Sequence, residues 1–93
     1  LIDFALGLLA GTRRNRQELD HLLASQADNW SLARMAVTDR NILRLGLYEL
    51  RYTDTPVGVV ISEAVELAKT YSTERSGSFV NGILDTIAAD RLA

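Results

Sequence analysis

Apolar residues recur along this chain at helical spacing, and the densest run lies between Val37 and Tyr52. Within VTDRNILRLGLYELRY, Ile42, Leu43, Leu45, Leu47 and Leu50 leave the segment apolar around most of its circumference, broken only by Arg40, Arg44 and Glu49. A helix that apolar on nearly every side has to be covered on nearly every side. The pattern therefore predicts a central core helix over 37–52. Thr38 or Asp39 is placed to cap its start, and the negative Asp39 suits the positive end of the helix dipole. Thr53, Asp54 and Thr55 end it, because the residue before Pro56 is pushed out of the helical region.

Upstream, Leu1, Ala5 and Leu8 form one helical row and Ile2, Leu6 and Leu9 the next. Two rows predict contacts on two sides, one of them with sequence preceding Leu1, so the chain reads as part of a longer protein. Gly11 and Thr12 interrupt the pattern, Arg13, Arg14 and Arg16 follow, and Leu19, Leu22 and Leu23 restore it. Asn15 with Glu18 has capping-box spacing, which offers a helix restart. An isolated glycine costs only about 1 kcal/mol against alanine, however, and one long helix to Gln26 is favoured. Asp28 to Ser31 reads as a turn and a cap. Ser31, or Asn29 before it, starts a short helix carrying Leu32, Met35 and Val37, with Trp30 stapling the entering chain to the core.

After Pro56 the run Val57–Gly58–Val59–Val60–Ile61 looks locally like a strand because it is β-branched. Nothing else in the chain would pair with it, and a lone strand leaves its backbone groups without partners. A turn or a tight first helical turn is expected, with Ser62 as a cap and a helix through Tyr71. Ala64, Leu67, Ala68 and Tyr71 then form the inner row, while Glu66 and Lys69 point outward. A loop over Thr73–Gly77 follows, and Ser76 is placed to cap the last helix. Phe79, Val80, Ile83, Leu84 and Ile87 line the buried side of that helix. Asn81 and Gly82 break the row, and such breaks mark function or close packing. On local grounds Gly82 is expected to admit a neighbouring helix and Asn81 to bond a loop carbonyl.

Composition narrows the chemistry. Ninety-three residues support one core and not two, so the fold class is all-α and the domain single. A formal net charge of -2 leaves no global basic field to attract nucleic acid. Divided after Arg40, the chain carries five basic and five acidic residues, then five and seven. Nine of the ten cations are arginine, a bias that suits planar bidentate contacts. Absence of cysteine excludes a disulfide framework and a thiolate metal site. With no signal peptide and no apolar run of bilayer length, a cytoplasmic protein without membrane contact is the default expectation. Arg13, Arg14 and Arg16 read as a solvated face ahead of an RNA patch. His21 has no second metal ligand at helical spacing. Glu63 and Glu66 share a face, but no histidine, cysteine or further acid is aimed at the same point. No metal, cofactor or catalytic group is expected.

Several motifs arrive in a recognisable order: Asn29-Trp30 with Arg34-Met35, then Asp39-Arg40-x-Ile42-Leu43-Arg44 running to Tyr48-Glu49-Leu50. Pro56 and Ile61-x-Glu63-Ala64-Val65-Glu66-Leu67-Ala68-Lys69 come next, and Ser76-x-x-Phe79-Val80-Asn81-Gly82-Ile83-Leu84-Asp85 is last. Together they resemble the NusB family of bacterial transcription antitermination factors, over essentially all of the chain. The resemblance implies a compact helical bundle of two subdomains, truncated at the N-terminus. Residues 1–27 would be the last helix of the first subdomain, and residues 28–93 the second. The helical pair that opens the family fold, with its arginine-rich segment, would precede Leu1.

The family resembled is non-enzymatic and carries no cofactor. It pairs with NusE, a small-subunit ribosomal protein, and the pair holds boxA-type single-stranded RNA for the RNA polymerase elongation complex, supporting ribosomal RNA transcription. By that resemblance Asp39 is the partner-binding position. The RNA-binding positions are Arg75, Ser76, Phe79 and Asn81. Arginine at 75 departs from the acidic residue common in the family, which favours a phosphate contact. Two alternatives stay open. One is the NusB-like RNA-binding domain of an rRNA cytosine methyltransferase, against which the run from Glu63 to Lys69 speaks. The other is a purely structural helical module that forms a homodimer.

Overall fold

The computed structural model describes residues 2–26 and 35–92. Within them the chain forms five helices: α1 (Ile2–Arg14), α2 (Arg16–Gln26), α3 (Val37–Tyr52), α4 (Val57–Tyr71) and α5 (Glu74–Leu92). The expectations for Asn29, Trp30, Ser31, Leu32 and Arg34 lie outside the described residues.

Helix α3 is central and touches each of the other four. Leu43, Leu47 and Leu50 on it are fully buried with Leu19 and Leu23 of α2, Val60 of α4, and Val80 and Leu84 of α5. Its predicted ends are the observed ones. Thr53 leaves the helix with extended backbone (φ -126°, ψ 168°). The Thr53 N–H and hydroxyl both donate to the Glu49 carbonyl, at 3.2 and 2.8 Å. The capping of its start differs from expectation. Ala36 occupies the N-cap with no side-chain hydrogen bond, because Asp39 turns inward towards α5 instead of back onto its own helix.

The single helix expected to Gln26 is divided at Asn15. Backbone bonds run on both sides of it, from Asn15 N–H to the Gly11 carbonyl and from Leu19 N–H to the Asn15 carbonyl. The Asn15 side-chain amide also donates to the Gly11 carbonyl at 2.8 Å, and the Thr12 hydroxyl to Leu8 at 2.6 Å. Side chains bonding back onto the preceding turn compete with the ladder and bend helices. The Asn15–Glu18 capping box does not form, since Glu18 pairs with Arg51 at 2.7 Å and accepts from the Tyr52 hydroxyl.

Proline 56 sits at the N-cap of α4, and its carbonyl accepts from both Val59 and Val60 N–H. The β-branched run is thus the first turn of the helix, and Ser62 lies exposed within it. Val60, Ile61, Ala64 and Ala68 face the core, whereas Leu67 and Tyr71 of the expected inner row are exposed, Tyr71 at 71%. Those two face a groove of about 510 Å³ shared with Leu9 and Leu45. Of the N-terminal rows, Ile2, Ala5, Leu6 and Leu9 are exposed, Ile2 at 75%, and Leu8 is half-buried.

Three glycines mark close approaches, Gly77 against Lys69 being one. A Cβ on Gly11 would fall on the ring of Tyr48, and one on Gly46 would stand 3.1 Å from Leu84 Cδ1. Gly82, by contrast, has nothing within 4 Å of its Cβ position, and both it and Asn81 are exposed. The expectation that Gly82 admits a neighbouring helix is therefore overturned. The buried stripe of α5 is Val80, Leu84 and Ala88, which turns positions 81, 82, 85 and 86 outward.

Candidate functional site

Only Ser72 and Thr73 separate α4 from α5, and the two form a tight hydrogen-bonded start to the last helix. The Ser76 N–H donates to the Thr73 hydroxyl oxygen at 3.1 Å, and the Thr73 N–H reaches Ser76 Oγ at 3.4 Å. That reciprocal pairing is a capping box, with serine in the place usually taken by glutamate or glutamine. Thr73 is thus the cap, and Ser76 stands three residues inside the helix. The reading of Ser76 as the cap is corrected by one turn.

Ser76 is 4% exposed and its hydroxyl meets three oxygens: Asp39 Oδ2 at 3.0 Å, Ser72 Oγ at 2.9 Å and Thr73 Oγ1 at 3.0 Å. A hydroxyl has one proton to give, and a carboxylate is the strongest acceptor of the three. Ser76 is the donor towards both Asp39 Oδ2 and Ser72 Oγ, with the carboxylate the stronger acceptor of its one proton, and the Thr73 hydroxyl is free to donate to it. Asp39 itself is 9% exposed, and its Oδ1 has no hydrogen-bond partner among the described residues. A partner-binding residue would be expected on the surface. Burial takes Asp39 off it, because the start of α5 lies across the start of α3.

Arg75 and Phe79 belong to the same turn. With Asp39, Ser76, Thr73 and Met35 they line a recess of about 330 Å³. Arg75 is exposed, and Phe79 is half-buried, packed against the core on one side. The recess thus offers a cation and part of an aromatic ring over a floor already occupied by a carboxylate. Because Asp39 stands against the positive end of α5, an anion near this turn depends on the Arg75 side chain more than on backbone N–H groups. The structure brings together Arg75, Ser76, Phe79 and Asp39. Asn81 stays outside the recess, exposed further along α5. Sequence reasoning missed Thr73 and Met35. The threonine was detectable, since Thr73-x-x-Ser76 has capping-box spacing.

Arg13, Arg14 and Arg16 are exposed, as a solvated face requires, and Arg16 approaches Asp20 at 3.9 Å. Among the described residues no three His, Cys, Asp or Glu side chains gather to hold a metal ion, and no helix is long and apolar enough to cross a membrane.

Fold and site define an all-α bundle with a recess at the start of its last helix. The chain belongs to the NusB family, whose model matches residues 2–89. The transcription antitermination protein NusB of Anaeromyxobacter dehalogenans is 49% identical over 89 residues, covering 96% of this chain and 63% of that protein. The namesake from Thermotoga maritima is also 49% identical, over 88% of this chain and 58% of its own length. Solved structures agree. T. maritima NusB superposes with a TM-score of 0.89 at 48% identity, over 94% of this chain and 62% of that one. A chain in the crystal structure of a plectonemic RNA supercoil gives 0.92 at 33% identity, over 98% and 67%. The chain therefore spans about three-fifths of the length of the curated relatives it matches.

Proposed function

We propose that the chain acts in transcription antitermination as an RNA-binding adaptor. With the NusE ribosomal protein it holds boxA-type single-stranded RNA for the RNA polymerase elongation complex and supports ribosomal RNA transcription. Its role is to bind, with no reaction of its own, in the cytoplasm. The observation that carries the proposal is the recess at the start of α5, where an exposed arginine and a half-buried phenylalanine share one rigidly capped turn. Single-stranded RNA is held by stacking of unpaired bases on aromatic rings and by cations on its phosphates. Arg75 and Phe79 supply one of each. Antitermination proteins at 49% identity and a structural neighbour crystallised with RNA support the same reading.

Ser76 contributes by holding that turn, and Asn81 supplies an exposed amide further along the helix. The partner face is assigned to the start of α3, where Asp39 lies. Because Asp39 is buried, its effect there passes through its neighbours. The test is fluorescence titration of boxA RNA and a scrambled strand with the intact protein, in the presence and absence of NusE. Preferential binding of boxA, strengthened by NusE, is expected. Equal affinity for both strands, unaltered by NusE, would refute the proposal.

A further inference from the structure

Asp39 and Ser76 lie on different helices, 37 residues apart, yet their contact is buried at 3.0 Å. We propose that Asp39 is a positioning residue for RNA binding: its carboxylate orients the Ser76 hydroxyl, and through it the first turn of α5 that carries Arg75 and Phe79. This inference rests on the reading of that turn as the RNA-binding site.

The positioning depends on where one proton points. The Asp39 carboxylate draws the Ser76 proton to Oδ2 in preference to Ser72 Oγ, the other acceptor within its reach, and leaves Ser76 Oγ to accept from the Thr73 hydroxyl. The direction of the whole cluster is then fixed, and Thr73 Oγ1 keeps a lone pair for the Ser76 N–H, the bond that caps the helix. Without the carboxylate, the Ser76 proton turns towards Ser72 or Thr73. Donation to Thr73 Oγ1 puts the Ser76 hydroxyl and the Ser76 N–H on one shared acceptor, which weakens the capping bond. The first turn of α5 then loses its single arrangement, and Arg75 and Phe79 lose their fixed spacing. Burial matters to this argument. A residue 9% exposed and lying beneath the recess has little surface to offer RNA, so its influence has to travel through Ser76. A second buried oxygen, Asp39 Oδ1, has no hydrogen-bond partner among the described residues. Retaining a carboxylate under that cost fits a group whose charge orients its neighbours.

The test is a set of double-mutant cycles read in RNA affinity, using boxA RNA and the intact protein without NusE. Phe79→Ala alone establishes whether the turn binds RNA. If it has no effect, both the site assignment and this inference fall. Given an effect, Asp39→Ala is expected to weaken binding about fivefold or more, and Phe79→Ala added to it to cost much less than it does alone. Amide hydrogen exchange at the first turn of α5 should quicken in the same variant while the core of α3 stays protected. Ser76→Ala approaches the contact from the other side and carries the same cycle if Asp39→Ala does not fold. Additive losses in the cycle, or an Asp39→Ala variant that binds RNA like the parent, would overturn the inference and leave the RNA-binding reading intact.

Discussion

Arg44 on α3 grips Asp20 on α2 with a two-pronged contact, Nε to Oδ1 at 2.6 Å and Nη2 to Oδ2 at 2.9 Å. Its remaining terminal nitrogen donates to Asn41 at 3.1 Å, so a guanidinium only 8% exposed is well provided for. Removing one member of a buried pair leaves the other charge uncompensated. Asp20→Ala is therefore expected to destabilise the fold by about 2–3 kcal/mol, below the full range for buried pairs because Asp20 is partly solvated. Urea denaturation checks this. A loss within a few tenths of a kcal/mol of zero would mean that Arg44 finds water or another acceptor.

Helix α1 docks on α3 where the Tyr48 ring lies against the bare backbone of Gly11. Tyr48 in turn stacks on Tyr52 with centroids 4.9 Å apart, which limits its freedom to move aside. In a solvated helix glycine to alanine would stabilise by about 1 kcal/mol. Gly11→Ala should instead destabilise by about 1–3 kcal/mol, the usual penalty for overpacking. A raised melting temperature in that variant would show that Tyr48 swings away freely.

The groove between α1, α3 and α4 leaves Leu9, Leu67 and Tyr71 exposed beside Leu45. Apolar surface of that extent seeks cover. The 93-residue chain is expected to self-associate, giving a weight-average mass in sedimentation that rises with concentration. A clean monomer at high concentration with a cooperative thermal transition would contradict this.

Much of this architecture is legible in the sequence, and the exceptions share a cause. Helix α3 could be delimited because its apolar circumference and the Thr53–Pro56 stop are both local signals. The inward face of α5 was readable for the same reason. The break at Asn15 was not, because it depends on side chains that bond back onto a helix only once that helix exists. Asp39 read as a dipole partner or a surface contact, since an acid in a first helical turn normally is one. Its burial depends on Ser76, far along the chain. Leu67 and Tyr71 kept a helical period with Ala64 and Ala68, but periodicity does not say how far α4 is rotated about its axis. At the candidate site, the motif that singled out Arg75, Ser76 and Phe79 coincides with one turn of α5 lining one recess. Asn81 was drawn in by the same motif, although the stripe of Val80, Leu84 and Ala88 turns it outward.

The central claim is that the exposed cation and the half-buried ring at the start of α5 hold RNA. Its most direct measurement is the affinity of the intact protein with NusE for boxA RNA, titrated at several salt concentrations for the parent, Arg75→Ala and Phe79→Ala. Loss of one phosphate contact should weaken binding by Arg75→Ala and make the dependence of log K on log salt shallower by about one unit. Phe79→Ala should weaken binding with that slope unchanged, because a stacking contact releases no counterion. Affinities and slopes matching the parent in both variants would contradict the claim and remove this turn from the RNA site.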